Sequence, residues 1–174
     1  MIHLAIARIP FVLALGSGLA LSSAGCSSGN GVGGPGAGDD GGAASGVVSC
    51  GIAPASEVGA DLGLSDLGNP TSDSLAPVTE CTYVSPLPTT VLIRYETQMT
   101  MADFQTGEQG FTGHGESATV VTGVGDAAYW SSLGTGSDAI NTLVVLKGST
   151  EVEIAASVPL ASLEKLATQI IASF

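Results

Sequence analysis

The chain has 174 residues, 44% of them hydrophobic, and its sixteen acidic and four basic side chains give a net charge of −12. This length suits one domain with one hydrophobic core. So acidic a surface repels nucleic-acid phosphates and anionic lipid headgroups, which excludes nucleic acid from the partners that we expect.

The N-terminus has the pattern of an export signal. Residues 1–8 carry one firm positive charge, Arg8, and residues 9–21 form an apolar run. This run is shorter than the roughly 20 apolar residues that a permanent membrane helix needs. Small residues then lead up to Cys26 in the sequence Ser-Ser-Ala-Gly-Cys. We therefore predict a signal peptide over residues 1–25.

The segment that ends at Cys26 resembles the lipobox of bacterial lipoproteins, in which small residues precede a cysteine that receives a diacylglyceryl thioether. The resemblance implies that acylated Cys26 becomes the first residue of the mature protein. The family usually has leucine three residues before the cysteine, where this chain has Ser23. Two or three acyl chains are enough for stable anchoring. The alternative is an ordinary secretory leader that leaves Cys26 as a free thiol.

The remaining cysteines, Cys50 and Cys81, form an even pair once Cys26 is acylated. A disulfide persists in the oxidising compartment that an export signal implies. We predict a disulfide between them, which closes a loop of about 30 residues and contributes roughly 3–4 kcal/mol in the chain-entropy model.

A linker separates the anchor from the folded part. Residues 26–46 are dominated by Gly, Ser and Ala, with almost no large apolar side chain to bury. We predict a disordered linker there, with a reach of about 25 Å, and a small soluble domain over residues 47–174. Without Arg8, the mature chain keeps three basic residues and carries a net charge of −13.

The first part of the domain gives one helix and four strands. A helix is predicted over 54–62, because Pro54 and Glu57 suit its start and Gly63 or Gly68 suits its end. Residues 103–109 are compatible with either a helical turn or a loop. Alternating residues predict strands over 80–84, 91–97, 118–122 and 127–131.

The second half gives the clearest tertiary signal. Residues 142–147 and 151–157 flank Gly148, Ser149 and Thr150, a pattern typical of a hairpin. Glu151 and Glu153 are predicted to face water. Pro159 then opens an amphipathic helix that runs to the C-terminus. We predict an α+β fold of two layers, an antiparallel β-sheet with a short N-terminal helix and a C-terminal amphipathic helix packed on it.

The order of these features is similar to that of small exported lipoproteins of unknown function. The resemblance rests on Cys50 before the first helix, Cys81-Thr82-Tyr83 in a strand, the stretch 123–130 before the hairpin and the closing helix. Some of those proteins look similar to the PsbP-like fold. The resemblance implies a fold and a location, and it supplies no catalytic residues.

Candidate sites are few. Residues 123–128 match the dinucleotide pattern G-x-G-x-x-A, but a strand is predicted where that motif needs a helix, so we expect a tight turn in which Asp126 bonds local amides. No G-x-S-x-G elbow occurs, and we predict no catalytic residue, metal or cofactor. Tyr129 and Trp130 lie on opposite faces of one strand. Either one of them is exposed in a binding surface, or one packs under the C-terminal helix and the other caps the sheet edge.

We therefore predict a lipid-anchored, non-catalytic envelope module that binds another envelope protein or a small ligand through one face of its sheet. The alternative is a small envelope hydrolase or metal-dependent enzyme that uses His114 with a nearby carboxylate such as Glu116. A structural surface protein is a third hypothesis. Ser27, rather than Asp, follows Cys26. We expect the outer membrane in a double-membraned host, and otherwise the outer face of the cytoplasmic membrane.

Overall fold

Seven strands and three helices make up the part of the chain that the structure, a computed structural model, describes: residues 48–86, 89–113 and 116–174. The strands are β1 (Thr71–Leu75), β2 (Val78–Val84), β3 (Thr90–Thr97), β4 (Thr119–Val121), β5 (Ala127–Leu133), β6 (Ile140–Lys147) and β7 (Thr150–Ala156). The helices are α1 (Ala55–Leu62), α2 (Met101–Gly113) and α3 (Leu160–Ile171). Cys50–Ile52 and Gly136–Asp138 form short 3-10 segments.

The strands form one antiparallel sheet in the order β1-β2-β3-β7-β6-β5-β4. Two meanders, β1 to β3 and β4 to β7, are joined through α2, and β3 pairs with β7 where they meet. The predicted α+β class is confirmed, with a short helix before the sheet and an amphipathic helix after it.

One face of the sheet, which we call the core face, lies under α1 and α3. Residues paired across the four central strands share this face, and all are fully buried: Cys81, Ile93, Ile154 and Leu143. Side chains alternate between the faces of a strand, so the residues next to these point to the opposite side. We call that side the second face.

Proline begins both core helices and glycine ends the first of them, as the sequence predicts. Pro54 and Pro159 stand at the N-caps of α1 and α3, and Gly63 ends α1 with a left-handed φ of 70°. The buried stripe of α3 comprises Leu163, Leu166, Ala167 and Ile170. A 3.0 Å ion pair between Lys165 and Asp61 joins the two helices at their surface.

Two elements differ from the prediction. β1 was not predicted, because its five residues are all exposed and mostly polar, so they carry no inward pattern. α2 is a full helix where the sequence left residues 103–109 open. Its start is a reciprocal cap, in which the Asp103 carboxylate accepts hydrogen bonds from the N–H and hydroxyl of Thr100, while Asp103 N donates to the Thr100 hydroxyl.

Candidate functional site

Two residues that the sequence singles out, Cys26 and His114, lie outside the described residues, as do the signal peptide and the linker. Their roles, and the domain boundary at residue 47, stay predictions. The described helices include none that is long and apolar enough to cross a membrane.

The predicted disulfide between Cys50 and Cys81 is confirmed, with 5.7 Å between the two Cα atoms. It ties the 3-10 segment before α1 to β2, next to the 2.6 Å hydrogen bond that the Tyr83 hydroxyl donates to the Ala53 carbonyl. Burial raises the pKa of Tyr83 to about 12, so this hydroxyl keeps its proton at ordinary pH. The bridge thus fixes the entry of the chain into the core.

Tyr129 and Trp130 point to opposite faces of β5, and neither is strongly exposed. Tyr129 is 2% exposed and lies on the second face, where the rings of Phe104 and Phe111 pack against it at 5.0 and 5.5 Å. Trp130 is half-buried against the core-face cluster. Most of this candidate binding surface is therefore used in packing, and what remains is the exposed part of Trp130.

The predicted tight turn between β4 and β5 is present, but Asp126 does not bond amides of its own turn. Its carboxylate accepts a 2.7 Å hydrogen bond from Gly148 N and a 3.0 Å bond from Lys147 Nζ, both in the β6–β7 hairpin. These bonds lower the pKa of Asp126. Gly125 has φ of 63°, and a Cβ on it would lie 2.6 Å from the carbonyl oxygen of Leu146. The turn is a structural junction, and β5 follows it instead of a nucleotide-binding helix.

The second face carries a charged cluster where β3 and β7 pair, and we call it the Arg94 cluster. Arg94 forms an ion pair with Glu96 on its own strand and lies 3.6 Å from Glu151 and 3.8 Å from Glu153 on β7. One guanidinium therefore faces three carboxylates. Glu151 is only 6% exposed, which corrects the prediction that it faces water. β7 lies between β3 and β6, and Glu151 stands in register with Glu96 and Leu146 on those two strands.

Burial has the largest effect on the pKa values of Glu151 and Glu153 in this cluster. It raises the pKa of Glu151 to about 7, with Glu153 and Glu96 adding to the rise and Arg94 opposing it. Burial also raises the pKa of Glu153, and the charges of Glu80 and Glu96 act in the same direction. Glu151 can therefore take up a proton near neutral pH.

A groove lies between α2 and the edge strand β4, and we call it the α2–β4 groove. It has a volume of about 400 Å³. Its helical wall includes Met101, Gln105 and Glu108, and its other wall includes Val120 and the β4–β5 turn. Val120 is 68% exposed and Met101 is 44% exposed. The groove therefore presents apolar side chains that the fold itself leaves uncovered.

A second concavity, of about 590 Å³, lies beside the disulfide between α1 and the following loop. Its lining is mostly small or apolar, with Asp66 as its charged member.

Among residues 48–86, 89–113 and 116–174, no group of three or more His, Cys, Asp or Glu side chains is placed to hold a metal ion. Glu116, named with His114 in the enzyme hypothesis, accepts a 2.7 Å hydrogen bond from Ser131.

The sequence did not reveal the Arg94 cluster or the α2–β4 groove. The alternation of Glu151 and Glu153 placed both carboxylates opposite the core, but their meeting with Arg94 depends on β3 pairing with β7 in one register. The groove depends on where α2 crosses the sheet. Neither arrangement has a local sequence pattern.

The chain matches no family model, no curated protein and no solved structure.

Proposed function

We propose that this protein is a bacterial lipoprotein, anchored by acyl chains on Cys26, whose α+β domain is a non-catalytic binding module of the cell envelope. The anchor part rests on the leader and on the lipobox resemblance. A Gly-rich tether behind the anchor would let the domain search for a partner some distance from the membrane.

The proposal that the domain binds a partner rests on one observation, the composition of the sheet's second face. The core face is covered by α1 and α3, whereas the second face combines the charged cluster around Arg94 with the α2–β4 groove. Apolar residues exposed beside charged ones are typical of surfaces that bind another molecule. The confirmed disulfide supports an oxidising compartment, as export requires.

Affinity capture from solubilised envelopes of the native host tests this function, with the full acylated chain as bait and the Cys26→Ser chain as its matched control. We expect one protein or small ligand that both baits recover and that excess untagged chain competes away. If the acylated bait alone recovers material, the lipid has carried it and the domain is no binding module. Capture of unsaturable background by both baits also contradicts the proposal.

The enzyme hypothesis is tested separately, because it depends on His114. A His114→Ala chain that leaves every envelope phenotype of the native chain intact removes it. Loss of a phenotype in that variant, with the fold unchanged by circular dichroism, favours the hydrolase over the binding module.

A further inference from the structure

β4 is an edge of the sheet that lacks the usual protection against pairing. It is the last strand in the sheet order, and its sequence, Thr119-Val120-Val121, contains no charge and no proline. An edge strand presents backbone N–H and C=O groups that can pair with another strand. The opposite edge, β1, carries Asp73 at its centre and lies between Pro70 and Pro77, which discourage pairing.

The α2–β4 groove runs beside this edge, which no further described strand pairs with. Met101, Gln105 and Glu108 follow one another at helical spacings of four and three residues, so they lie along one side of α2. Val120 is on the other wall, and it is among the most exposed large apolar residues in the described part of the chain. A strand added to β4 would place alternate side chains against Val120 and this side of α2.

The charges around the groove favour a basic occupant. Residues 95–146 contain no lysine or arginine and contain six acidic residues. Of the two acidic residues that line the groove, Asp126 is paired with Lys147, whereas Glu108 forms no ion pair with any described residue. An incoming lysine or arginine therefore meets at Glu108 a negative charge that no described cation pairs with.

We infer that an extended, basic segment of a partner protein binds in the α2–β4 groove as an additional strand along β4. Backbone hydrogen bonds would supply affinity that is independent of sequence, while apolar side chains against Val120 and lysines near Glu108 would select the segment. This inference rests on the proposed function, because it names the partner chemistry of the same module.

The probe is a synthetic peptide of about ten residues, near the upper end of common strand lengths. Valine and lysine take turns at every second position, and threonine fills the positions between them, so that valines and lysines lie together on the face toward the groove. Its binding to the full chain is measured by fluorescence anisotropy at about 0.15 M salt, where exposed charges are already screened beyond roughly 8 Å. Two control peptides accompany it. One has glutamate in place of lysine, and the other has alternate backbone amides N-methylated so that they cannot donate.

Val120→Lys is the groove variant, and Leu75→Lys is its matched control, since Leu75 is 83% exposed on the opposite edge strand. Gln105→Lys provides a second variant on the helical wall, where the substitution does not touch the sheet. We expect saturable binding that weakens about tenfold in both groove variants and is unchanged in Leu75→Lys. We also expect weak binding of both control peptides and slower amide exchange in residues 119–121 when the valine–lysine peptide is bound.

Three results would overturn the inference. They are equal weakening by Val120→Lys and Leu75→Lys, undiminished binding of the N-methylated peptide, and absence of saturable binding. An envelope partner whose capture is unaffected by Val120→Lys would overturn it while leaving the proposed function standing, so the two failures are distinguishable.

Discussion

Replacing Glu151 by glutamine is expected to change how the stability of the fold depends on pH. Glu151 is 6% exposed and shares Arg94 with Glu96 and Glu153. Its pKa is raised from an ordinary 4.5 to about 7, first by burial and then by the neighbouring carboxylates. At about 1.36 kcal/mol for each pKa unit, this difference corresponds to roughly 3 kcal/mol.

The direction follows from proton binding. Because the folded carboxyl holds its proton to higher pH than the unfolded one, the folded state binds more protons between pH 4.5 and about 7. Stability from this group is therefore complete below pH 4.5 and is lost as the pH rises through about 7. Glutamine cannot ionise, so the Glu151→Gln chain lacks this loss.

The assay is urea unfolding of the oxidised chains near pH 4.5 and near pH 8, with the free energies of unfolding compared at each pH. Relative to the native chain, Glu151→Gln should gain up to roughly 3 kcal/mol between the two conditions. Asp138→Asn is the control, because Asp138 is exposed in a surface 3-10 segment, and its profile should stay parallel to the native one. A Glu151→Gln profile that also stays parallel refutes the reasoning.

Two matched pairs test the packing, both by urea unfolding. Gly125→Ala should lower the free energy of unfolding by about 2–4 kcal/mol, because the new Cβ meets the Leu146 carbonyl. Gly110→Ala should instead raise it by about 0.5–1 kcal/mol, because a Cβ at this position of α2 meets open space. Tyr83→Phe should cost about 1–3 kcal/mol by removing a buried hydrogen bond, whereas Tyr95→Phe should cost nothing, since that buried hydroxyl has no partner among the described residues. Equal effects within either pair would contradict the contacts.

The elements with local signals could be predicted from the sequence. Pro54 and Gly63 bracket α1, Pro159 opens α3, and the polar turn at Gly148 marks the β6–β7 hairpin. Each of these signals acts within a few residues of the element that it defines, so a single sequence suffices. The disulfide could also be predicted, because the proposed acylation of Cys26 leaves Cys50 and Cys81 as a single pair.

The rest depends on contacts between distant segments. The glycines at 107 and 110 weaken the helical pattern of α2, which forms because Phe104 packs against Tyr129 on β5. The exposure of Glu151 was wrongly predicted because alternation identifies the face of a strand but not what covers that face. Arg94 meets β7 only through the register of two strands that lie about 60 residues apart in sequence.

The most direct test of the account is the intact mass of the full-length chain purified from a bacterial membrane, measured with and without reduction. We predict the mass of a chain that begins at acylated Cys26, lighter before reduction by the two hydrogens that the Cys50–Cys81 disulfide removes. A chain without acyl groups, cleaved elsewhere or retaining its leader, would contradict the proposal that this domain works from a membrane anchor.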